Sequence, residues 1–258
     1  MLVTDVTQGV ATLTLNRPEL HNAFDDQLIA QLTHELQRVA ALPEVRVVVL
    51  AANGKSFSAG ADLNWMRRMA DYSVEQNQHD ARGLAQLMLT LDSLAKPTIA
   101  KIQGAAYGGG VGLVACCDIA LAADSASFCL SEVKLGLIPA VISPYVVRAM
   151  GERQARRYFV TAERFSAHTA QAIGLVHEVV AAQQLDARLA QLLADLRING
   201  PQAMVEAKNL AQSVARTPFD GLQIEDTAQR IARIRASAEG REGLSAFLNK
   251  RKPAWIEG

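Results

Sequence analysis

The chain has 258 residues, half of them hydrophobic and one fifth charged, which excludes a disordered chain and allows one large core with at most a small appendage. Lys+Arg and Asp+Glu both number 26, and a formal net charge of zero offers no general attraction to nucleic acid or to an acidic membrane. Three cysteines, two of them the neighbours Cys116 and Cys117, show no spacing for zinc and read as reduced thiols of a cytoplasmic protein. Asp5 and Gln8 interrupt any early apolar run, and no run reaches the roughly 18 residues of a membrane span, so neither a signal peptide nor a membrane partner is expected.

Residues 3–15 alternate apolar and polar side chains around Gly9, which predicts a hairpin or two short strands closed by Asn16-Arg17-Pro18. Leu28, Leu32, Leu36 and Val39 recur at helical spacing, so a helix is expected over 25–41. The aliphatic run 45–51 predicts a strand buried on both faces, followed by a loop over 54–60, a helix from about Asp62 and another over 80–95. A buried strand at 98–102 leads into a glycine-rich loop over 104–112 and a helix over 113–117. Strands follow at 119–123 and 126–130, helices at 144–150 and 152–161, and a last strand at 175–180. The alternation predicts an α/β fold with a largely parallel sheet. From 185 on the pattern is helical, broken at Gly200-Pro201 and Pro218, which divides the chain into a core over 1–184 and a helical region over 185–258.

Two loops follow buried strands and are built of small residues: Phe57-Ser58-Ala59-Gly60-Ala61-Asp62, and Gly104-Ala105-Ala106-Tyr107-Gly108-Gly109-Gly110. In parallel sheets ligands bind beyond the carboxyl ends of strands, and glycine and alanine let a ligand approach the backbone closely. Each loop alone also fits a tight turn before a helix. The second does not fit G-x-G-x-x-G, because position 113 is leucine, and it lacks a P-loop lysine. Among the carboxylates, Asp62 reads as a helix cap and Asp118 as forming a structural hydrogen bond to a neighbouring loop. Glu132, bordered by the apolar run 126–130, reads equally as a surface glutamate or as a desolvated acid/base residue.

At these residues the chain resembles the enoyl-CoA hydratase/isomerase (crotonase) family nearly end to end. The resemblance rests on Leu15-Asn16-Arg17-Pro18 with Asn22-Ala23-Phe24, on both small-residue loops, on Cys117-Asp118-Ile119-Ala120, and on the ending Glu239-Gly240-Arg241-Glu242-Gly243, Ala246-Phe247-Leu248 and Lys250-Arg251-Lys252-Pro253. It implies a spiral of ββα units with a C-terminal helical trimerisation region, assembled as a homotrimer or a dimer of trimers. It implies that the N–H groups of Ala61 and Gly109 bind a thioester oxygen and that Glu132 moves protons. It implies that Asn22, Ala23, Ala59 and Leu63 meet the adenine end of coenzyme A, and that Phe247 and Lys250 meet its nucleotide end. Coenzyme A enters as part of the substrate, and no metal, nicotinamide or flavin is implied. The plainer reading of Lys250-Arg251-Lys252 is a solvated basic tail.

Two departures stand out. Hydratases of this family commonly carry two glutamates, and the first position is Gly112 here while the second is Glu132. The family often reads Pro-Gly-x-Gly-Gly-Thr where this chain has Pro139-Ala140-Val141-Ile142-Ser143-Pro144 and then Tyr145. Together they predict an acyl pocket reshaped around Gly112, Ile142 and Tyr145 for a branched or functionalised acyl group. Residues 108–120 with 131–148 are most similar to bacterial methylglutaconyl-CoA hydratases of branched-chain catabolism. Arg67 or Arg68 would then meet a distal carboxylate, against the plainer reading of exposed helix arginines. Tyr107 and Tyr145 are candidates for positioning water. The expected function is hydration of an α,β-unsaturated acyl-CoA. The alternatives are an isomerase using Glu132 alone, or a non-catalytic CoA-thioester or RNA-binding protein.

Overall fold

The structure, a computed structural model, describes residues 1–256, so positions 257 and 258 of the expected helical region lie outside the described residues. The chain forms two compact units, one of Met1–Leu94 with Thr98–Leu189, the other of Ala95–Pro97 with the residues from Ala190 on.

The first unit opens with β1 (Leu2–Thr7) and β2 (Val10–Leu15), an antiparallel hairpin turning at Gln8 and Gly9, both with positive φ. Asp25 caps α1 (Asp26–Ala41) by accepting from Leu28 N at 2.8 Å, and the expected stripe of leucines is buried. The chain then repeats one pattern three times: a longer strand, a three-residue strand and helix. The first turn is β3 (Val47–Ala52), β4 (Ser56–Ser58), α2 (Leu63–Met69) and α3 (Val74–Asp92). The second is β5 (Thr98–Ile102), β6 (Ala105–Tyr107) and α4 (Gly109–Cys116). The third is β7 (Ile119–Ala123), β8 (Ser127–Cys129), α5 (Ser143–Met150) and α6 (Glu152–Thr161). β9 (Phe165–Ser166), α7 (Ala167–Ala172) and β10 (Glu178–Val180) complete the core.

The longer strands build one sheet, β1-β2-β3-β5-β7-β10, and the short ones a second, β4-β6-β8-β9. All pairings are parallel except β1 with β2 and β8 with β9. Each ββα unit therefore gives one strand to each sheet, which is the crotonase-like spiral. Leu13, Leu50, Phe57, Leu87 and Phe128 are fully buried in its core. Asp118 is structural, as expected, but its partner is a strand and not a loop: its Oδ2 takes Thr98 N at 2.8 Å and Thr98 Oγ1 at 2.9 Å, tying the start of β7 to β5.

The structure also corrects the sequence reading. The loop expected over 54–60 contains β4, and the glycine-rich loop over 104–112 contains β6 and the first turns of α4. Three-residue strands of small residues carry no periodic signal, and only their pairing with each other defines them. α3 starts at Val74, not 80, behind a capping box in which Ser73 and Gln76 bond reciprocally. β9 and α7 were not expected, and the last strand covers only Glu178–Val180.

From Leu185 the described residues are helical: α8 (Leu185–Arg197), α9 (Pro201–Arg216), α10 (Gly221–Ala236) and α11 (Ala238–Leu248), followed by a short turn. Phe219, Leu222, Phe247 and Leu248 are each more than three-quarters exposed. No described helix is long and apolar enough to cross a membrane.

Candidate active site

The first small-residue loop is held by the segment that follows β2. His21 and Asn22 both take left-handed backbone conformations, so the chain turns sharply there. The Asn22 side chain is wholly buried and fully used: its Nδ2 donates to Asn53 O and Ser56 O, and its Oδ1 accepts from Arg17 N. Ser58 Oγ donates to Asn22 O at 2.9 Å, and Ala59 N donates to His21 O at 3.0 Å. Phe24 completes this zip. Its N–H donates to Gly60 O and its C=O accepts from Asp62 N, both at 2.7 Å, leaving Ala61 bridged to Phe24 in parallel fashion. In such a bridge the middle residue turns its own N–H away from the partner strand. Asp62 then caps α2, accepting from Asn64 N and Trp65 N, as expected of it.

The second loop meets the first through glycines. A Cβ on Gly60 would lie 3.2 Å from Tyr107 O, and one on Gly110 would lie 2.8 Å from Ser58 O. A Cβ on Gly109 would lie 2.8 Å from Phe24 Cε2. Only glycine permits these approaches. Gly109 is the first residue of α4, so its N–H is one of the helix's unshared donors. Among the described residues neither Ala61 N–H nor Gly109 N–H donates a hydrogen bond. Two uncommitted N–H groups on adjoining loops are what an oxyanion-binding site requires.

Glu132 opens a short 3-10 turn, Glu132–Leu135, separated from β8 by Leu130 and Ser131. Its Oε1 lies 3.3 Å from where a Cβ on Gly108 would stand, and its buried Oε2 has no hydrogen-bond partner among the described residues. Gly108 has φ +49°, is the N-cap of α4 and immediately precedes Gly109. Burial pushes the Glu132 carboxyl above its ordinary pKa, and its own backbone N–H only partly offsets this. A desolvated carboxyl with an open oxygen beside an N–H donor can accept and return a proton.

Gly112 lies one helical turn beyond Gly108, on the same face of α4. A Cβ on Gly112 would lie 2.9 Å from Ile142 Cβ and 3.1 Å from Met88 Cε. The volume that a side chain at 112 would need is thus held by the buried Ile142 at the start of α5. Tyr145, half-buried one turn on, carries Arg148 over its ring at 5.5 Å. Tyr107 Oη pairs with Ser127 Oγ at 3.2 Å under Arg164. Arg68 is paired with Asp26 and Arg67 Nη1 with Asn64 Oδ1, both at the surface.

Ala23 is buried, whereas Ala59 and Leu63 are exposed beside the first loop. Phe247 and Lys250 belong to the C-terminal unit, where Phe247 is 81% exposed. Sequence reasoning left Phe24 and Arg17 inside a signature without a task and did not single out Gly108. The signal for Gly108 was present: a glycine heading a glycine run marks a backbone that another group must approach. The three cysteines are buried and form no disulfide among the described residues, and burial pushes the Cys129 thiol up.

The model of the enoyl-CoA hydratase/isomerase family matches residues 5–258. The chain is 35% identical to the 2,3-dehydroadipyl-CoA hydratase of Escherichia coli over 254 residues, which is 98% of this chain and 97% of that one. A crystal structure of an enoyl-CoA hydratase from Shewanella pealeana is similar with a TM-score of 0.96 at 50% identity, covering 98% of this chain and 95% of that one. AtuE from Pseudomonas aeruginosa has a TM-score of 0.94 at 36% identity over 99% of each chain. A family match over nearly the whole length, on this fold and around this pair of loops, means that the chain belongs to the enoyl-CoA hydratase/isomerase family and is an enzyme of its hydratase type.

Proposed function

We propose that this enzyme adds water to an α,β-unsaturated acyl-CoA, with Ala61 and Gly109 as the oxyanion donors and Glu132 as the only carboxyl that handles protons. The observation that carries this reading is the Glu132 carboxyl, with one oxygen against Gly108 and the other, Oε2, buried without a hydrogen-bond partner among the described residues. In the reaction the ionised Glu132 takes a proton from water as the water oxygen bonds to the β-carbon. The double-bond electrons move toward the thioester, and charge on its oxygen is held by the two N–H groups. The protonated Glu132 then gives its proton to the α-carbon, the enolate collapses, and the carboxylate is restored. One water is consumed, with no net oxidation or reduction.

The substrate in this reading is branched and methylglutaconyl-like, with a place in leucine catabolism. What supports it is the hydrocarbon that Ile142 and Met88 put where a second carboxylate would stand, together with the resemblance of residues 108–120 and 131–148. Ala23, Ala59 and Leu63 meet the adenine, with Asn22 shaping the turn from inside. Phe247 and Lys250 meet the nucleotide phosphates in a trimer or dimer of trimers. Coenzyme A is part of the substrate, no further cofactor takes part, and the compartment is the cytoplasm.

Purified protein is assayed for hydration of 3-methylglutaconyl-CoA and crotonyl-CoA, with Glu132→Gln alongside. Water addition to the branched ester, lost in the variant, is the expected result. Isomerisation is the second reading, favoured by the loss of the carboxylate at 112. A 3-enoyl-CoA converted to its conjugated isomer, with neither ester hydrated, would put it first. The retained buried carboxyl weighs against a non-catalytic or RNA-binding role.

A further inference from the structure

Phe24 touches both arms of the site at once. Its main chain brackets Ala61 from one side, through the two 2.7 Å bonds to Gly60 O and from Asp62 N. Its ring lies against Gly109 from the other, so closely that a Cβ there would fall 2.8 Å from Cε2 and 3.0 Å from Cδ2. Phe24 is 2% exposed and belongs to the same core as Leu28, Trp65 and Val111, which leaves its ring little room to move. One buried aromatic residue therefore links the backbone beside Ala61 to the first turn of α4.

We propose that Phe24 is a positioning residue that sets the separation of the two oxyanion N–H groups. This rests on the reading of Ala61 and Gly109 as those donors. Two donors stabilise one oxygen only when both lie within hydrogen-bond reach of the same point, and an error near 1 Å in such geometry costs on the order of 100-fold in rate. A smaller side chain at 24 lets Gly109 settle toward Ala61, and a Cβ on Gly109 drives the arms apart. Both changes spoil the convergence of the N–H groups without touching the coenzyme A end of the substrate.

The test uses 2,4-hexadienoyl-CoA, whose absorption moves to longer wavelength when its thioester oxygen is polarised, bound to the Glu132→Gln protein so that it is not consumed. Phe24→Leu and Gly109→Ala are each added to that background, as is the pair together. The expected result is a clear red shift in the parent, reduced by half or more in each single variant at unchanged affinity, and partly restored in the pair, where the new methyl occupies space the ring has left. In the otherwise native enzyme the single changes should lower kcat at least about tenfold and leave KM within about twofold. Phe24→Met serves in place of Phe24→Leu if the latter does not fold. No red shift in the parent would overturn the oxyanion reading itself. A full red shift in both folded single variants would leave that reading intact and overturn the role of Phe24.

Discussion

Arg17 Nη2 donates to Asp62 Oδ2 at 3.2 Å, and Asp62 is the residue directly after Ala61. The same guanidinium reaches Asp25 Oδ2 through Nη1 at 2.6 Å, so one cation holds the caps of both α1 and α2. All three side chains are at most 15% exposed. Arg17→Met leaves two carboxylates facing each other without their cation. A broken, largely buried ion pair costs about 3 kcal/mol, so denaturant titration should show a loss of that order. Release of the Asp62 cap should also loosen Ala61 and reduce kcat about tenfold.

Glu132→Gln separates two effects of one buried carboxyl. Hydration should fall by about 10²–10⁴-fold, the usual worth of a positioned acid/base group. Stability should move the other way, in a pH-dependent manner. A carboxyl whose folded pKa is raised ionises first in the unfolded chain, so the folded state loses stability as pH climbs from the ordinary glutamate value to the raised one. Below that window both forms are protonated and no penalty exists. Thermal unfolding should therefore show the glutamine protein matching the native one near pH 4 and exceeding it at pH 8. The acid limb of kcat/KM in the native enzyme should likewise lie above the pH at which an exposed glutamate titrates.

Restoring a carboxylate at 112 should require two changes. Gly112→Glu alone meets Ile142 and Met88, and overpacking of this kind costs about 1–3 kcal/mol before any charge is buried. Its Tm should fall by about 5 °C or more. Ile142→Gly in the same chain removes the obstruction, so the pair should recover most of the loss, with a coupling energy above about 1 kcal/mol in a double-mutant cycle. Additive effects would mean that Ile142 does not guard this space.

At the C-terminus, Glu242 accepts from Arg251 through both oxygens, at 2.5 and 2.8 Å, and from Ala254 N at 2.9 Å. These partners hold its carboxyl down to about 2. A depressed carboxyl contributes stability that is present above its unfolded pKa and lost as pH falls through the folded one, so the clamp should persist throughout the neutral range. Glu242→Gln should free the turn that carries Lys250. If that turn meets the nucleotide phosphates, KM for acyl-CoA should rise about threefold to tenfold with kcat unchanged, and amide exchange should quicken over 249–256.

Elements whose signal is local are legible in the order of residues alone. Leu28, Leu32, Leu36 and Val39 announce α1 at a 3.6-residue period, and the runs of β3, β5 and β7 are apolar because both faces of those strands are covered. The order of the chain's motifs also pointed to the family and marked the two small-residue loops and Glu132 as candidates. What joins them emerges only when the chain is folded. β4 and β6 exist because they pair with each other, and Asn22 turned out to be spent inside the turn. Arg17 and Phe24 acquired tasks only once residues far along the chain were brought against them. Ile142 and Gly112 are thirty positions apart, and no pattern in the sequence says that one fills the space the other leaves. Periodicity reports burial of a local face, whereas a glycine contact, a shared cation or a filled void depends on which distant backbone arrives beside it, and that is set by packing of the whole core.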